Sequence, residues 1–251
     1  MDTRPHHVFV LDLDGTIIGD ISPQILLWEL CQACKVRYDT RALHDKLRRG
    51  IVRPGFADFI KTIQHQGAMV YVYTASEKKW AHFILPQIEK ALGIRFARPF
   101  FTRNECVAVN GEYKKSVRFI RKAIEKTVHV SGYTIIDNTN VFHRSDQHNL
   151  ALCSTYNFIY PENYTQVISQ EAFATNREVI NTVLTHYIPH FKPTESYWRL
   201  QKQLAIAYVR AIDGQVVSKD NMYPVLGAYL RSHPMQFAAH HLRRYCNHTS
   251  I

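Results

Sequence analysis

The sequence has no apolar run that reaches the roughly 18 to 20 residues of a membrane-spanning helix, so a membrane protein is not expected. Residues 8–13 are apolar, but this run is short, contains Asp12 and is followed by no small-residue cleavage site. It predicts a strand rather than a signal peptide. Internal repeats, low-complexity tracts and long linkers are also absent. The chain is therefore expected to be soluble, with one large domain or one domain plus an appendage.

The cysteines do not form a disulfide framework. There are five, an odd number with no regular spacing, which is typical of a reducing compartment. We therefore expect an intracellular protein, cytoplasmic or nuclear, that is not secreted. Cys31 and Cys34 could form a metal or redox pair, but no second pair follows and their segment is an apolar helix. Buried thiols are the favoured interpretation.

Basic residues outnumber acidic ones. The 31 Lys and Arg against 21 Asp and Glu give a formal net charge of +10 and a pI near 9.4. This balance favours anionic partners, among them phosphorylated proteins, nucleotides and nucleic acids. Charge alone does not choose among these classes, and it says nothing about the oligomeric state.

Apolar strands alternate with amphipathic helices along the first 190 residues. Runs at 8–13, 68–73, 133–136 and 150–153 predict strands. Interleaved strands and helices indicate a parallel sheet, so the predicted fold class is α/β. The predicted helices are 23–34, 41–49, 56–63, 80–92, 117–126 and 176–187.

Two prolines suggest a boundary near the end of this pattern. Pro189 and Pro193 follow the last helix of the alternating region. The predicted core domain is 1–192, with a small helical insert at about 17–50 after the first strand. Beyond it, 193–251 is predicted to be a helical C-terminal extension, with two helices indicated by apolar residues within 198–209 and 223–230 and with a basic tail.

The most informative segment is Asp12-Leu13-Asp14-Gly15-Thr16, directly after the first strand. Residues two apart on a strand share a face, so both carboxylates can leave the strand end together. Ligands of parallel sheets bind at this end of the strands. Two adjacent carboxylates need a cation or a proton to relieve their repulsion. A divalent metal between the carboxylates is therefore predicted. The alternative is that these residues only form an Asp-Gly turn at the end of the strand, with no chemical role.

Further polar groups follow in a fixed order. Thr74-Ala75-Ser76 and Asp137-Asn138 each come directly after an apolar strand, and Lys114 and Lys115 lie between them. Separately, these groups could be a helix cap, a turn and a solvated pair of lysines. Their order along the chain favours the functional interpretation.

In these four segments the sequence resembles the haloacid dehalogenase (HAD) superfamily, whose ordered motifs they match. It is most similar to the branch of the RNA polymerase II carboxy-terminal-domain (CTD) phosphatases and their small relatives. Outside the motifs, the likeness includes Arg53-Pro54-Gly55-Phe56, the segment 103–106 and Gly111-Glu112-Tyr113-Lys114-Lys115. The resemblance extends over about 8–188 and implies a HAD-like, Rossmannoid sheet sandwiched by helices.

The resemblance also implies a phosphatase mechanism. Asp12 would attack phosphorus and form an aspartyl-phosphate, and Asp14 would protonate the leaving oxygen and then activate water. Thr74 and Lys115 would complete the catalytic set. Lys115 is preferred to Lys114 on its spacing from Gly111, although a slip of one residue is possible.

Two ligand sets follow from the same resemblance. Mg²⁺ would be the cofactor, since it prefers oxygen ligands. Its predicted ligands are Asp12, Asp14, Asp137 and Asn138. The predicted contacts to substrate are Gly15, Thr16, Thr74, Ala75, Ser76 and Lys115.

Some positions depart from the branch pattern. Gly15 replaces a usual Glu, Ser116 a usual Asp, and the insert is predicted to be helical where the branch has an extended flap. These changes affect the substrate more than the chemistry. The leading hypothesis is hydrolysis of phosphoserine or phosphothreonine in a protein. The alternatives are a nucleotide or nucleic-acid-end phosphatase and an inactive phosphate-binding scaffold.

Overall fold

The computed structural model describes residues 4–109, 111–160, 162, 176–187 and 219–246. At its centre is a sheet of four parallel strands in the order β2-β1-β5-β6, and a separate hairpin pairs β3 with β4. The predicted α/β class with a central parallel sheet is confirmed. The strands are β1 His6–Leu11, β2 Met69–Val72, β3 Val107–Val109, β4 Glu112–Lys114, β5 Val130–Asp137 and β6 Leu150–Leu152.

Helices cover both faces of the central sheet. Side chains alternate along β1, so that Val8 and Val10 pack on one face while Phe9 and Leu11 pack on the other. Helix α5 lies on the Val8 face, and most other helices contribute to the larger core on the Phe9 face. The described helices are α1 Ser22–Ala33, α2 Thr40–Lys46, α3 Phe56–His65, α4 Lys78–Leu92, α5 Val117–Glu125, α6 Arg177–Tyr187, α7 Met222–Ser232 and α8 Ala239–Cys246.

The segment after β1 is helical, as its sequence predicts. Helix α1 packs against α6, and α2 packs against α4. The Asp39 side chain begins α2 by accepting hydrogen bonds from the backbone N–H groups of Arg41 and Ala42, at 2.9 and 3.1 Å. Cys31 and Cys34 are buried free thiols, which agrees with their interpretation as core residues.

The C-terminal helices pack on the core. Helix α7 lies against α3, where the Tyr223 ring is 5.0 Å from the rings of both Phe56 and Phe59. Helix α8 lies against β6 and buries Leu242 and Cys246. The predicted helix around 223–230 corresponds to α7, whereas residues 198–209 lie outside the described residues.

Two elements were not predicted. Residues 239–246 form α8 instead of a basic tail, because apolar side chains at positions 239, 242 and 246 fall on one face among basic neighbours. The β3–β4 hairpin has three-residue strands with exposed apolar side chains, among them Val107 and Tyr113. A strand without a buried face has no period-two burial pattern to reveal it.

Candidate active site

The carboxyl ends of the central strands bring the predicted polar groups together. Asp12 follows β1, Thr74 follows β2 after one residue, and Asp137 ends β5. These strands are parallel neighbours, so their ends meet at one edge of the sheet. Lys115 comes from a different direction, directly after β4, and its side chain reaches the same edge.

Lys115 connects two of the carboxylates. Its Nζ donates to Asp12 Oδ1 at 2.5 Å and to Asp137 Oδ2 at 2.8 Å, and all three side chains are almost completely buried. Burial lowers the pKa of Lys115, but the two carboxylates outweigh burial and raise the pKa above its ordinary value. Burial raises the pKa of Asp12 to about 7, and the Lys115 charge opposes that rise. The ammonium group therefore favours the ionised form of Asp12.

Asp14 is held by two hydroxyl groups from the loop after β2. Thr74 Oγ1 donates to Asp14 Oδ2 at 3.1 Å, and Ser76 Oγ donates to the same oxygen at 2.7 Å. The Ser76 N–H in turn donates to Thr74 Oγ1 at 3.0 Å. Asp14 is only partly buried, unlike Asp12. The two carboxylates thus have different partners and different access to solvent.

Asn138 faces both aspartates through one end of its amide. That amide atom lies 3.2 Å from Asp12 Oδ2, 3.0 Å from the Asp14 carbonyl oxygen and 3.2 Å from Thr16 Oγ1. With nitrogen at this position, the amide donates to both aspartates. With oxygen there, the amide accepts from the Thr16 hydroxyl and faces the Asp12 and Asp14 oxygens with no proton between them, an arrangement that a cation would relieve.

The chemistry of these atoms fits Mg²⁺. Mg²⁺ prefers hard oxygen ligands at 2.0–2.1 Å, and two adjacent ligands of such an octahedral site are roughly 3 Å apart. The amide atom of Asn138 lies at similar distances, 3.0 and 3.2 Å, from the Asp14 and Asp12 oxygens. The described residues contain no group of three or more His, Cys, Asp or Glu suited to a metal. A cation here would therefore depend on the Asp14 carbonyl and the Asn138 amide as well as on Asp12, and would keep several waters.

Gly15 allows Asn138 to approach the loop. Its φ is +76°, and a Cβ at this position would lie 2.6 Å from Asn138 Nδ2 and 3.0 Å from Thr155 Cγ2. Both the backbone conformation and the available space therefore require glycine. Thr16, the next residue, is fully buried, and its hydroxyl accepts a hydrogen bond from the Asn138 backbone N–H at 3.0 Å.

Ala75, a predicted substrate contact, and Lys114, the alternative to Lys115, have other partners. The Ala75 carbonyl accepts a hydrogen bond from Arg103 Nε at 2.8 Å. Lys114 pairs with Glu112 on the exposed hairpin at 2.6 Å, and it does not join Lys115 among the buried carboxylates. Of the two lysines left open by the sequence, only Lys115 contacts Asp12.

Sequence reasoning missed two threonines that support the site. The backbone N–H and hydroxyl of Thr139 donate to Asp137 Oδ1 at 2.7 and 2.8 Å. Asn138 Nδ2 donates to Thr155 Oγ1 at 3.1 Å in the orientation that turns the amide oxygen toward Asp12. Thr139 follows Asp137 closely enough to suggest an Asx-type turn. Thr155 has no local sequence signal, because only the fold brings it to Asn138.

The family described as NLI interacting factor-like phosphatase (NIF) matches residues 7–172, about two thirds of the chain. The chain belongs to this family. It is a phosphatase, and the predicted resemblance to the HAD branch of the CTD phosphatases is confirmed. The match includes Asp12, Thr74, Lys115 and Asn138, and it ends before α6. None of the curated proteins matches this NIF-like chain.

Two solved structures resemble the NIF-like chain. One is an arginine-to-alanine variant of the RNA polymerase II CTD phosphatase Fcp1 from fission yeast, bound to beryllium fluoride. It is 16% identical in sequence to this chain, with a TM-score of 0.38, and the match covers 93% of this chain and 68% of that one. A structure of Fcp1, described as an essential RNA polymerase II CTD phosphatase, is 18% identical with a TM-score of 0.40, covering 90% and 70%. Separately, no helix among the described residues has the length and apolar character to cross a bilayer.

Proposed function

We propose that this phosphatase is a Mg²⁺-dependent phosphomonoesterase that acts through an aspartyl-phosphate on Asp12, with phosphoserine or phosphothreonine of a protein as its substrate. The observation that carries the proposal is the buried contact of Lys115 with Asp12 and Asp137. A nucleophilic carboxylate must be ionised, and a fixed ammonium group at 2.5 Å favours that form. The same charge would stabilise a phosphate placed among acidic groups.

The two aspartates suit successive steps of the reaction. The Asp12 carboxylate forms a bond to phosphorus as the bond to the leaving alcohol breaks, and the alcohol oxygen takes a proton from Asp14. Asp14 then removes a proton from water, whose oxygen attacks phosphorus and releases phosphate and the Asp12 carboxylate. The hydroxyls of Thr74 and Ser76 support this role because they fix the position of the Asp14 carboxyl.

The metal set follows from the oxygen atoms around Asn138. Asp12, the Asp14 carbonyl and Asn138 would hold Mg²⁺, which would neutralise charge on the phosphoryl oxygens. Both oxygens of Asp137 already accept hydrogen bonds, from Lys115 and from Thr139. We therefore assign Asp137 to the outer part of the metal site, where it positions Lys115. The proposed contacts to substrate remain Gly15, Thr16, Thr74, Ala75, Ser76 and Lys115.

The choice of substrate rests on the family and on charge. A phosphorylated protein is the anionic partner that best agrees with a NIF-like phosphatase of net charge +10. We also propose an intracellular location, because Cys31, Cys34, Cys106, Cys153 and Cys246 are all free thiols. The division into a core at 1–192 and an extension at 193–251 stays a proposal.

The Asp12→Asn variant tests the nucleophile. It should lose hydrolysis of an aryl phosphate in Mg²⁺ while keeping the circular dichroism spectrum of the folded protein, because an amide does not attack phosphorus. Asp45→Asn, an exposed site on α2, is the control and should retain activity. Hydrolysis of the aryl phosphate by Asp12→Asn would show that Asp12 is not the nucleophile.

Two further measurements test the metal and the substrate class. Wild-type protein should lose activity when Mg²⁺ is chelated. Competition among phosphopeptides, nucleotides and phosphorylated DNA ends would identify the class of substrate.

A further inference from the structure

A cavity of about 300 Å³ opens beside Asp14. Asp14 and Asn138 line it together with Asp20, from the segment between β1 and α1. Its other lining residues include Thr155 and Asn157, from the segment after β6. A volume near 300 Å³ is at the small end of ligand sites. The cavity therefore suits a single side chain or a small alcohol better than a large ligand.

The charge of this cavity is opposite to that of the whole chain. The described residues that line it include Asp14 and Asp20 but no lysine or arginine, whereas the net charge of the chain is +10. Lys115 is buried behind Asp12 and does not line the cavity. An anionic group in this space would meet carboxylates, and a cationic group would be attracted.

Asp20 has a fixed backbone and a free acceptor. Its N–H donates to the Phe158 carbonyl at 2.8 Å, and it forms a β-bridge with Ile159. Asp20 Oδ1 accepts from the N–H and hydroxyl of Ser22 at 2.9 and 2.5 Å. No hydrogen bond within the described part of the chain engages Asp20 Oδ2, and the residue is exposed. A ligand can therefore reach this carboxylate without breaking an existing contact.

We propose that this cavity holds the alcohol part of the substrate and that Asp20 selects leaving groups with a protonated amine or guanidinium near the phosphoester. The inference rests on the proposed function, in which Asp14 protonates the leaving oxygen. Because Asp14 lines the cavity, the remainder of the alcohol extends into it. The cationic group could be a Lys or Arg side chain beside phosphoserine in a peptide, or the amine of a small phosphorylated amino alcohol. Leaving groups that carry further phosphates are disfavoured.

The test compares substrates whose leaving groups carry a positive, neutral or negative charge near the phosphoester. One set is a phosphoserine peptide with Lys, Ala or Glu next to the phosphorylated residue; the other is phosphoethanolamine against 2-hydroxyethyl phosphate. Wild-type kcat/KM should be about 10-fold higher for the cationic member of a set than for its neutral counterpart. The ratio should fall roughly 5-fold or more in Asp20→Asn, which keeps an acceptor for Ser22, and should invert in Asp20→Lys. Asp45→Asn is the matched control and should keep the wild-type ratio.

Several outcomes separate this inference from the proposed function. A preference in the peptides alone identifies a protein substrate, and one in the small esters alone identifies an amino alcohol; both support the inference. The preference should also weaken in about 0.5 M salt, since the carboxylate is exposed. Equal ratios in wild type and Asp20→Asn, with aryl phosphate still hydrolysed, would overturn the role of Asp20 only. Failure of wild type to hydrolyse aryl phosphate in Mg²⁺ would overturn both.

Discussion

The two adjacent lysines of the β4 segment provide a test of one side chain against its neighbour. Lys115 is buried against Asp12 and Asp137, whereas Lys114 is only partly buried and pairs with Glu112. We expect Lys115→Met to lower kcat/KM for aryl phosphate by roughly 10²-fold or more, because the phosphate would then lack its nearest fixed positive charge. Phosphate release is the measurement.

Stability should change with the same variant. Removing one partner of a buried ion pair typically costs about 3–5 kcal/mol, so urea denaturation of Lys115→Met should show a large loss. Lys114→Met should change the free energy of unfolding by no more than about 0.5 kcal/mol and should keep activity near wild type. Equal effects of the two substitutions would show that the burial of Lys115 has no consequence.

Alanine substitutions at Gly15 and Gly67 would distinguish the effect of backbone strain from that of a steric clash with Asn138. Both have a positive φ, +76° and +83°, but a Cβ at Gly67 meets nothing within 4 Å, while one at Gly15 meets Asn138 at 2.6 Å. Each alanine variant should lose about 1 kcal/mol of unfolding free energy from strain. Only Gly15→Ala should also lower kcat/KM, by about 10-fold or more, because it displaces Asn138. Activity equal to that of Gly67→Ala would argue against a role for Asn138.

At the residue scale, the position of a side chain could be predicted where it lies at the end of a predicted strand. Asp12 and Asp137 follow apolar runs, so their place at one sheet edge could be predicted from the parallel fold. Lys115 was predicted only to within one residue because it directly follows another lysine, Lys114, which ends β4, and no burial pattern marks that strand. The contact of Thr155 with Asn138 and the place of Asp20 in the same cavity could not be predicted, since tertiary packing alone produces them.

At the scale of elements, one buried ion pair links the C-terminal helices to the segment that precedes α3. The guanidinium of Arg53 lies 2.8 Å from Asp220 Oδ2, and both side chains are buried. Arg53 also donates to the carbonyl and hydroxyl of Ser154, at 2.9 and 3.0 Å. Tyr223 adds a hydrogen bond from its hydroxyl to the Thr16 carbonyl at 3.3 Å. The start of α7 thus contacts the loop after β1 directly, and it is linked to Ser154 through Arg53.

Loss of Asp220 should therefore destabilise the fold. Asp220→Ala leaves the Arg53 charge buried without its carboxylate, so we expect the free energy of unfolding to fall by about 3–5 kcal/mol in urea titrations. The control is Glu125→Ala, which removes an exposed partner of Arg121 on α5 and should cost no more than about 0.5 kcal/mol. Similar losses in the two variants would mean that the Arg53–Asp220 pair contributes little.

Helices and strands could be predicted from the sequence where one of their faces is clearly apolar and buried. Helices α3 and α4 have clear apolar faces that end at Gly67 and Gly93, and both were predicted. The hairpin and α8 were missed because one has exposed strands and the other is short and basic. The contact of α7 with α3 was also beyond prediction, since neither helix face specifies its partner.

At the scale of the whole molecule, a chain of hydrogen bonds connects the sheet to the C-terminal region. His7 Nε2 lies 2.9 Å from Thr134 Oγ1, and the Thr134 hydroxyl donates to the Phe237 carbonyl. The His7 ring also contacts the rings of Phe9 and Phe237 at 5.5 and 5.2 Å. Since the Thr134 hydroxyl proton is directed to Phe237, Nε2 must carry a proton and donate to Thr134.

This arrangement predicts acid sensitivity of the whole fold. Burial lowers the pKa of His7 from 6.5 to about 4, so the unfolded chain binds more protons than the folded one between these values. The contribution of His7 to stability is thus complete above pH 6.5 and is lost as the pH falls toward 4. Urea titrations should show that wild type loses about 1–2 kcal/mol more than His7→Phe between pH 7 and pH 5, since the phenyl ring keeps the packing without a titrating group. Parallel curves for the two proteins would contradict a half-buried His7 that stays neutral in the folded protein.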